Sequence, residues 1–113
     1  MNFHNVPDRG DVVWLDLNPQ AGHEQAGTRP ALVLSPKIYN QKTGLAVICP
    51  VTSRIKEYPL VVKIPNDLKV NGVILSDQVK SLDWQKRRAK FICKMPIRIV
   101  TEVVEKLKAL IAF

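Results

Sequence analysis

The segment Ala21-Gly22-His23-Glu24-Gln25-Ala26-Gly27-Thr28-Arg29-Pro30 carries an imidazole, a carboxylate, a carboxamide, a hydroxyl and a guanidinium in a stretch too polar to be core. These are groups that move protons and hold anions. Glu24, with an unperturbed pKa of about 4.3, is ionised at neutral pH and suits a general base. His23, at about 6.5 when unperturbed, donates or accepts a proton near neutrality. Arg29 stays charged and presents a planar fork of donors that matches a phosphate, so its natural role is to stabilise negative charge in a transition state. Gly22 and Gly27 either let backbone N–H groups approach a substrate closely or simply turn the chain. The plainer reading is a surface histidine beside a solvated Glu24–Arg29 ion pair of little energetic weight. Enclosure between glycines is what favours a site.

Three further segments accompany this loop: Arg9-Gly10-Asp11-Val12-Val13-Trp14 before it, and Pro50-Val51-Thr52-Ser53 and Ser76-Asp77-Gln78-Val79-Lys80 after it. With them the chain resembles, almost end to end, the MazF/PemK family of bacterial toxin endoribonucleases. The resemblance implies cleavage of single-stranded RNA, mRNA in the cell, by a homodimer held in check by an antitoxin protein. Carried over by position, it places the chemistry on Glu24, Arg29 and Thr52 with His23 assisting. It places RNA contacts on Gln25, Thr28, Ser53, Arg54, Lys56, Asp77, Gln78 and Lys80. His23 matches the PemK branch. Leu75, however, stands where that branch has an arginine, and the run Asp77-Gln78-Val79-Lys80-Ser81 looks like the MazF branch. RNA carries its own nucleophile, the 2′-hydroxyl, so such cleavage needs a base, an acid for the departing 5′-oxygen, and donors for the phosphorane, with no cofactor or metal. A 2′,3′-cyclic phosphate and a 5′-hydroxyl would result.

Composition is compatible with that expectation. The 113 residues make a single domain, 1–113, large enough for a core without disulfide or metal support. A net charge of +7 and a pI near 9.7 favour a polyanionic partner, RNA and an acidic antitoxin alike. Lys80, Lys86, Arg87, Arg88, Lys90, Lys94 and Arg98 crowd one stretch, and a basic surface follows if the fold converges them. The longest apolar run, Leu45 to Val51, is too short to span a bilayer, and the N-terminus lacks a signal-peptide pattern, so the expected location is the cytoplasm, with no membrane contact. Cys49 and Cys93, without C-x-x-C spacing, read as buried reduced thiols.

The elements that must position these residues follow from periodicity. Asp11 to Leu17 reads as a strand with Val13, Leu15 and Leu17 on one face and Val12, Trp14 and Asp16 on the other. Ala31 to Leu34 and Leu45 to Cys49 suit buried strands, separated by a short helix announced by Ser35 as N-cap and Pro36. Leu60, Val62 and Ile64 alternate in a further strand, and Asn71-Gly72 is a hairpin-type turn into Val73-Ile74-Leu75. More strands are expected around Val79 and Phe91. From Pro96 the period becomes helical, with Ile97, Val100, Val103, Val104, Leu107, Leu110 and Ile111 in one stripe. Short strands closed by a terminal helix make an α+β fold, a small bent sheet or partly open barrel. The family resemblance sharpens this to an SH3-like barrel of the CcdB/PemK type. Similar barrels host other functions, so a CcdB-like toxin binding a protein target such as gyrase, or an RNA-binding barrel that leaves RNA intact, are the alternatives. Trp14 and Trp84 are either core or platforms for bases.

Overall fold

The computed structural model describes residues 5–19, 21–54 and 57–112. Seven strands and two helices follow one another as β1 (Asp11–Asp16), β2 (Thr28–Val33), α1 (Lys37–Thr43), β3 (Leu45–Thr52), β4 (Val61–Lys63), β5 (Val73–Leu75), β6 (Lys80–Asp83), β7 (Lys90–Lys94) and α2 (Ile97–Ile111). All pairings are antiparallel, in the order β4-β5-β3-β2-β1-β7, with β6 on β3. The expected α+β class is the one found. Strand β3 bends the sheet: its first half pairs with β6, from Leu45↔Asp83 to Ile48↔Lys80, and its end pairs with β5 through Val51↔Ile74 and Thr52↔Val73.

Both faces of the central strands are buried, which is why they read as nearly continuous apolar runs. Val13, Leu15, Leu17, Ala31, Val33, Ile48 and Trp84 fill one side. Val12, Leu32, Cys49, Val51, Val62, Ile74, Ile99 and Val103 fill the other, beneath α2. The alternation of β1 is as its sequence predicts. A polar hub ties the ends together: Asn40, fully buried, accepts from the Ser35 hydroxyl at 2.5 Å and donates to the Pro7 and Ser35 carbonyls at 2.8 and 3.0 Å. Its own carbonyl accepts the Trp84 indole N–H at 2.8 Å. Trp84 is therefore core.

Several local expectations are corrected. Ser35 does not cap α1, since its hydroxyl serves Asn40 and accepts the Val47 N–H. The carboxylate of Asp8, distant in sequence, accepts the Lys37 N–H at 2.9 Å instead, and that bond is the main reason its pKa lies below the ordinary value. Asn71-Gly72 ends a longer connection, in which Ile64 donates to the Gly72 carbonyl, rather than forming a two-residue turn between β4 and β5. The stripe on α2 splits: Val100 and Val103 are buried, joined by Ile99 from outside the stripe, whereas Ile97, Leu110 and Ile111 remain 83%, 49% and 69% exposed. Cys93 is only partly buried, while Cys49 is buried and desolvation pushes its thiol up to about 12.

Candidate active site

The β1–β2 connection holds the polar loop, and three sets of bonds shape it. At its base Leu17 donates to the Gly27 carbonyl at 3.0 Å, and Gly27 donates to Asn18 Oδ1 at 3.1 Å. The Arg87 guanidinium then clamps the outgoing strand, donating to the carbonyls of Asp16 and Asn18 at 3.0 and 2.7 Å. Gly22 and Gly27 turn the chain at φ 56° and 76°, where a side chain would be strained. At the tip Ala21 and Glu24 close a reciprocal turn: the Glu24 N–H meets the Ala21 carbonyl at 3.2 Å, and the Ala21 N–H meets Glu24 Oε1 at 2.9 Å.

Glu24 is exposed but engaged. Its Oε2 lies 3.1 Å from Lys80 Nζ, and Gln25 donates its N–H to Gln78 Oε1 at 3.2 Å. The segment following β5 thus grips the loop, and two of the sequence-predicted contacts, Gln78 and Lys80, reach it directly. The hydrogen bond from Lys80, then that from the Ala21 N–H, holds the Glu24 carboxyl below its usual range. It is ionised and, while so paired, a weakened base. His23 is exposed beside it.

Arg29 is the second residue of β2, and its Nε donates to the Ala26 carbonyl at 2.8 Å. The pair Ala31↔Pro50 places Arg29 and Thr52 at the same end of adjacent strands. The Thr52 side chain is buried, and its Oγ1 accepts the Arg54 N–H at 3.2 Å. The plain strand-ending role of this hydroxyl is thus real. Thr28, Arg29 and Ser53 line one cleft of about 350 Å³ with Trp14, Pro30, Val51, Lys69, Val70 and Asn71. Asp77 is exposed and accepts the Tyr58 hydroxyl at 2.9 Å, and burial followed by this bond pushes the phenol up to about 12. Lys56 lies outside the described residues.

Of the basic stretch, Lys80 and Arg87 reach this loop, and both are engaged by it. Lys80 is paired with Glu24, Lys94 binds Asp11 at 2.6 Å, and Arg87 is committed to backbone carbonyls. Arg88 and Lys90 line a separate hollow with Asn5 and Phe91. The stretch runs through β6, the β6–β7 turn, β7 and the start of α2, so its members are delivered to different parts of the surface. Tyr58, Lys69 and Asn71 belong to the site's surroundings without a sequence signal for it, since a Tyr before Pro59 and an Asn-Gly pair carry no chemical spacing; Arg87, expected on a basic surface, serves the loop's backbone instead. Among the described residues no group of His, Cys, Asp and Glu side chains is arranged to hold a metal ion.

A loop of proton-transfer groups on a bent antiparallel sheet, gripped by the turn after β5, is matched by a family model described as PemK-like, MazF-like toxin of type II toxin-antitoxin system, over residues 8–111. The chain belongs to this family. The endoribonuclease toxin MazF of Escherichia coli (strain K12) is 50% identical over 84 residues, 74% of this chain and 75% of that one. The endoribonuclease PemK of Escherichia coli is 33% identical over 108 residues, 92% and 81% of the two chains. A crystal structure of MazF from Deinococcus radiodurans superposes with a TM-score of 0.92 at 54% identity, covering 96% of this chain and 98% of that one. A MazE-MazF structure from the same organism gives 0.86, also at 54% identity, over 96% and 97%. The higher identity to MazF than to PemK agrees with Leu75 and the Asp77–Ser81 run.

Proposed function

We propose that this PemK/MazF-family toxin is a cytoplasmic endoribonuclease that cuts single-stranded RNA through its own 2′-hydroxyl, without a metal, and so stops translation. The observation that carries the reading is the Glu24–Lys80 pair on a glycine-bounded loop whose β2 end supplies Arg29. An exposed carboxylate-ammonium pair is weak and exchangeable. An arriving phosphate takes Lys80, which leaves the Glu24 carboxylate unpaired to receive the 2′-hydroxyl proton. Loss of that partner also raises the basicity of Glu24, because Lys80 is the main cause of its lowered pKa. Arg29, held by Nε on the Ala26 carbonyl, extends its terminal nitrogens to the charge that builds on the phosphorane. His23 assists proton transfer at the departing 5′-oxygen. Thr52, Gln25, Thr28, Ser53 and Gln78 surround the track, and Asp77 contributes to binding rather than chemistry.

Two partners complete the proposal. A second copy of the chain would cover the apolar side chains left exposed on α2, where Ile97 lines a hollow together with Tyr39, Pro96, Val104 and Leu107. An acidic antitoxin with a disordered tail would complement the +7 charge and occupy the RNA track. Relatives from Deinococcus radiodurans crystallise as MazE-MazF complexes, which supports this partner class.

The experiment is a gel of single-stranded RNA incubated with the protein and EDTA, beside the same RNA carrying hydrogen in place of the 2′-hydroxyl at the cut. Cleavage of the first alone, with a cyclic phosphate end, is expected. Equal cutting of the deoxy-substituted RNA eliminates the internal nucleophile, and binding without cleavage restores the RNA-binding barrel.

A further inference from the structure

The two tryptophans are used differently. Trp84 is 3% exposed and spends its N–H inside the core, whereas Trp14 is 42% exposed in the middle of β1, between the buried Val13 and Leu15. A tryptophan buries more apolar area than most side chains, so leaving it open in mid-strand forgoes stabilisation unless another flat group covers it. Its indole lines the 350 Å³ cleft that Arg29 also lines, with Pro30 and Val51 as apolar neighbours.

The opposite wall is the connection between β4 and β5. Val70 is buried at 6% and Leu68 packs against the same core, so the exposed Lys69 and Asn71 are held at the cleft by anchors on either side. Gly72, at φ +105°, brings this segment hard against the strand that carries Thr52; a Cβ there would lie 2.1 Å from the Thr52 carbonyl oxygen. Among the described residues Lys69 has no carboxylate partner, and Asn71 has no side-chain hydrogen bond. The cleft therefore combines a ring face, an amide with donor and acceptor, and an unpaired cation, beside the arginine assigned to the phosphorane.

Resting on the RNA-cleaving reading above, we propose that the Trp14–Lys69–Asn71 cleft is a nucleotide subsite next to the scissile phosphate. One base stacks on the Trp14 indole, the Asn71 amide reads its edge, and Lys69 contacts its phosphate. Sequence-selective proteins read single-stranded RNA by stacking splayed bases and hydrogen-bonding their edges. Arg29 fixes which polymer fits: a base bound here keeps its backbone within reach of the catalytic loop.

The test uses a short single-stranded RNA that the wild-type chain cuts, made resistant by a 2′-deoxy sugar at the cut, with affinity followed by fluorescence anisotropy. Trp14→Leu should weaken binding about tenfold or more, while Trp14→Phe, which keeps a ring face, should retain most of it. Lys69→Ala should reduce the slope of log affinity against log salt by about 0.7, one phosphate contact on a single strand. Asn71→Ala should relax base preference at one position when cut sites are mapped on a random RNA pool. Wild-type affinity in Trp14→Leu with an unchanged melting temperature overturns the subsite. So does an equal loss in Trp14→Phe and Trp14→Leu. If Trp14→Leu fails to fold, unchanged salt slope and base preference in the two exposed-residue variants overturn it instead. A wild-type chain that neither binds nor cuts single-stranded RNA removes the enzymatic reading itself, a failure seen before any variant is made.

Discussion

Replacing Gly72 by alanine adds a methyl group to the point where the β4–β5 connection crosses the end of β3. Its Cβ would stand 2.1 Å from the Thr52 carbonyl oxygen, 2.8 Å from the carbonyl carbon and 2.9 Å from Ser53 Cα. Restoring a contact of about 3.5 Å requires a backbone shift of more than about 1 Å. Thr52 cannot yield easily, since it pairs with Val73 and is 1% exposed. The φ of +105° adds strain of about 1–3 kcal/mol, and the Ile64 N–H to Gly72 carbonyl bond is worth about another 1 kcal/mol. Together with the clash, a loss of about 3–5 kcal/mol is expected, near the upper end for one substitution. At about 4 °C per kcal/mol in a domain of this size, the melting temperature should fall by roughly 12–20 °C. Cleavage measured well below the transition should also fall, because the shift moves Thr52 and Asn71. Gly44→Ala is the control. Gly44 also has positive φ, 73°, but nothing lies within 4 Å of its Cβ, so only strain of about 1 kcal/mol is at stake. Thermal unfolding by circular dichroism compares the three proteins. A Gly72→Ala protein that melts with Gly44→Ala and cuts RNA normally would refute the close-approach argument.

Three further outcomes are expected. Glu24→Ala and Arg29→Ala should each lose about a hundredfold or more in single-turnover cleavage while remaining folded, as acid-base and electrostatic contributions of that size require; near-normal cleavage by Arg29→Ala refutes its assignment. In Lys80→Met the Glu24 carboxyl should titrate higher, back toward 4.5, by carboxyl NMR. Because the folded pKa is depressed, that pairing stabilises the native state at neutral pH, and the contribution is lost as pH falls below 4.5; the variant should show a shallower acid loss there, and an unchanged Glu24 titration would dismiss the pair. Asn40→Ala strips the hub of its bonds to Ser35 and Pro7 and should cost about 3 kcal/mol or more in urea unfolding, with a loss under about 1 kcal/mol counting against it.

The residues of the loop were legible because types that move protons seldom crowd between glycines without purpose, and the strands were legible because β1, β2 and β3 keep apolar runs of strand length. What holds the loop was not. Arg87 lies about seventy residues from the carbonyls it clamps, and a run of basic residues looks the same whether it faces RNA or backbone. Asp8 caps α1 from outside the local window in which Ser35-Pro36 looked sufficient. Likewise the exposure of Ile97 and Ile111 depends on where α2 lands on the sheet, and its own periodicity cannot specify that. Local pattern sets faces and ends; register between distant strands decides which faces meet.

That division bears on how the site works. In the form described here the carboxylate of Glu24 is paired with Lys80 and the hydroxyl of Thr52 with the Arg54 N–H, so both groups are already satisfied before substrate arrives. The two bonds differ in how readily they exchange. Glu24 is exposed and Lys80 half-buried, so water screens their pairing and a phosphate can displace it. Thr52 is buried, and its hydroxyl turns to a substrate only if the Ser53–Arg54 backbone moves with it. On the proposed mechanism, exchange of Lys80 is then the early event that binding of a phosphate drives. On the same mechanism, recruitment of Thr52 requires a shift of the strand end that lies beside Gly72. A loop stiffened at its base by Arg87 and paired at its tip with Lys80 would localise that motion to the residues to which the proposal assigns the chemistry.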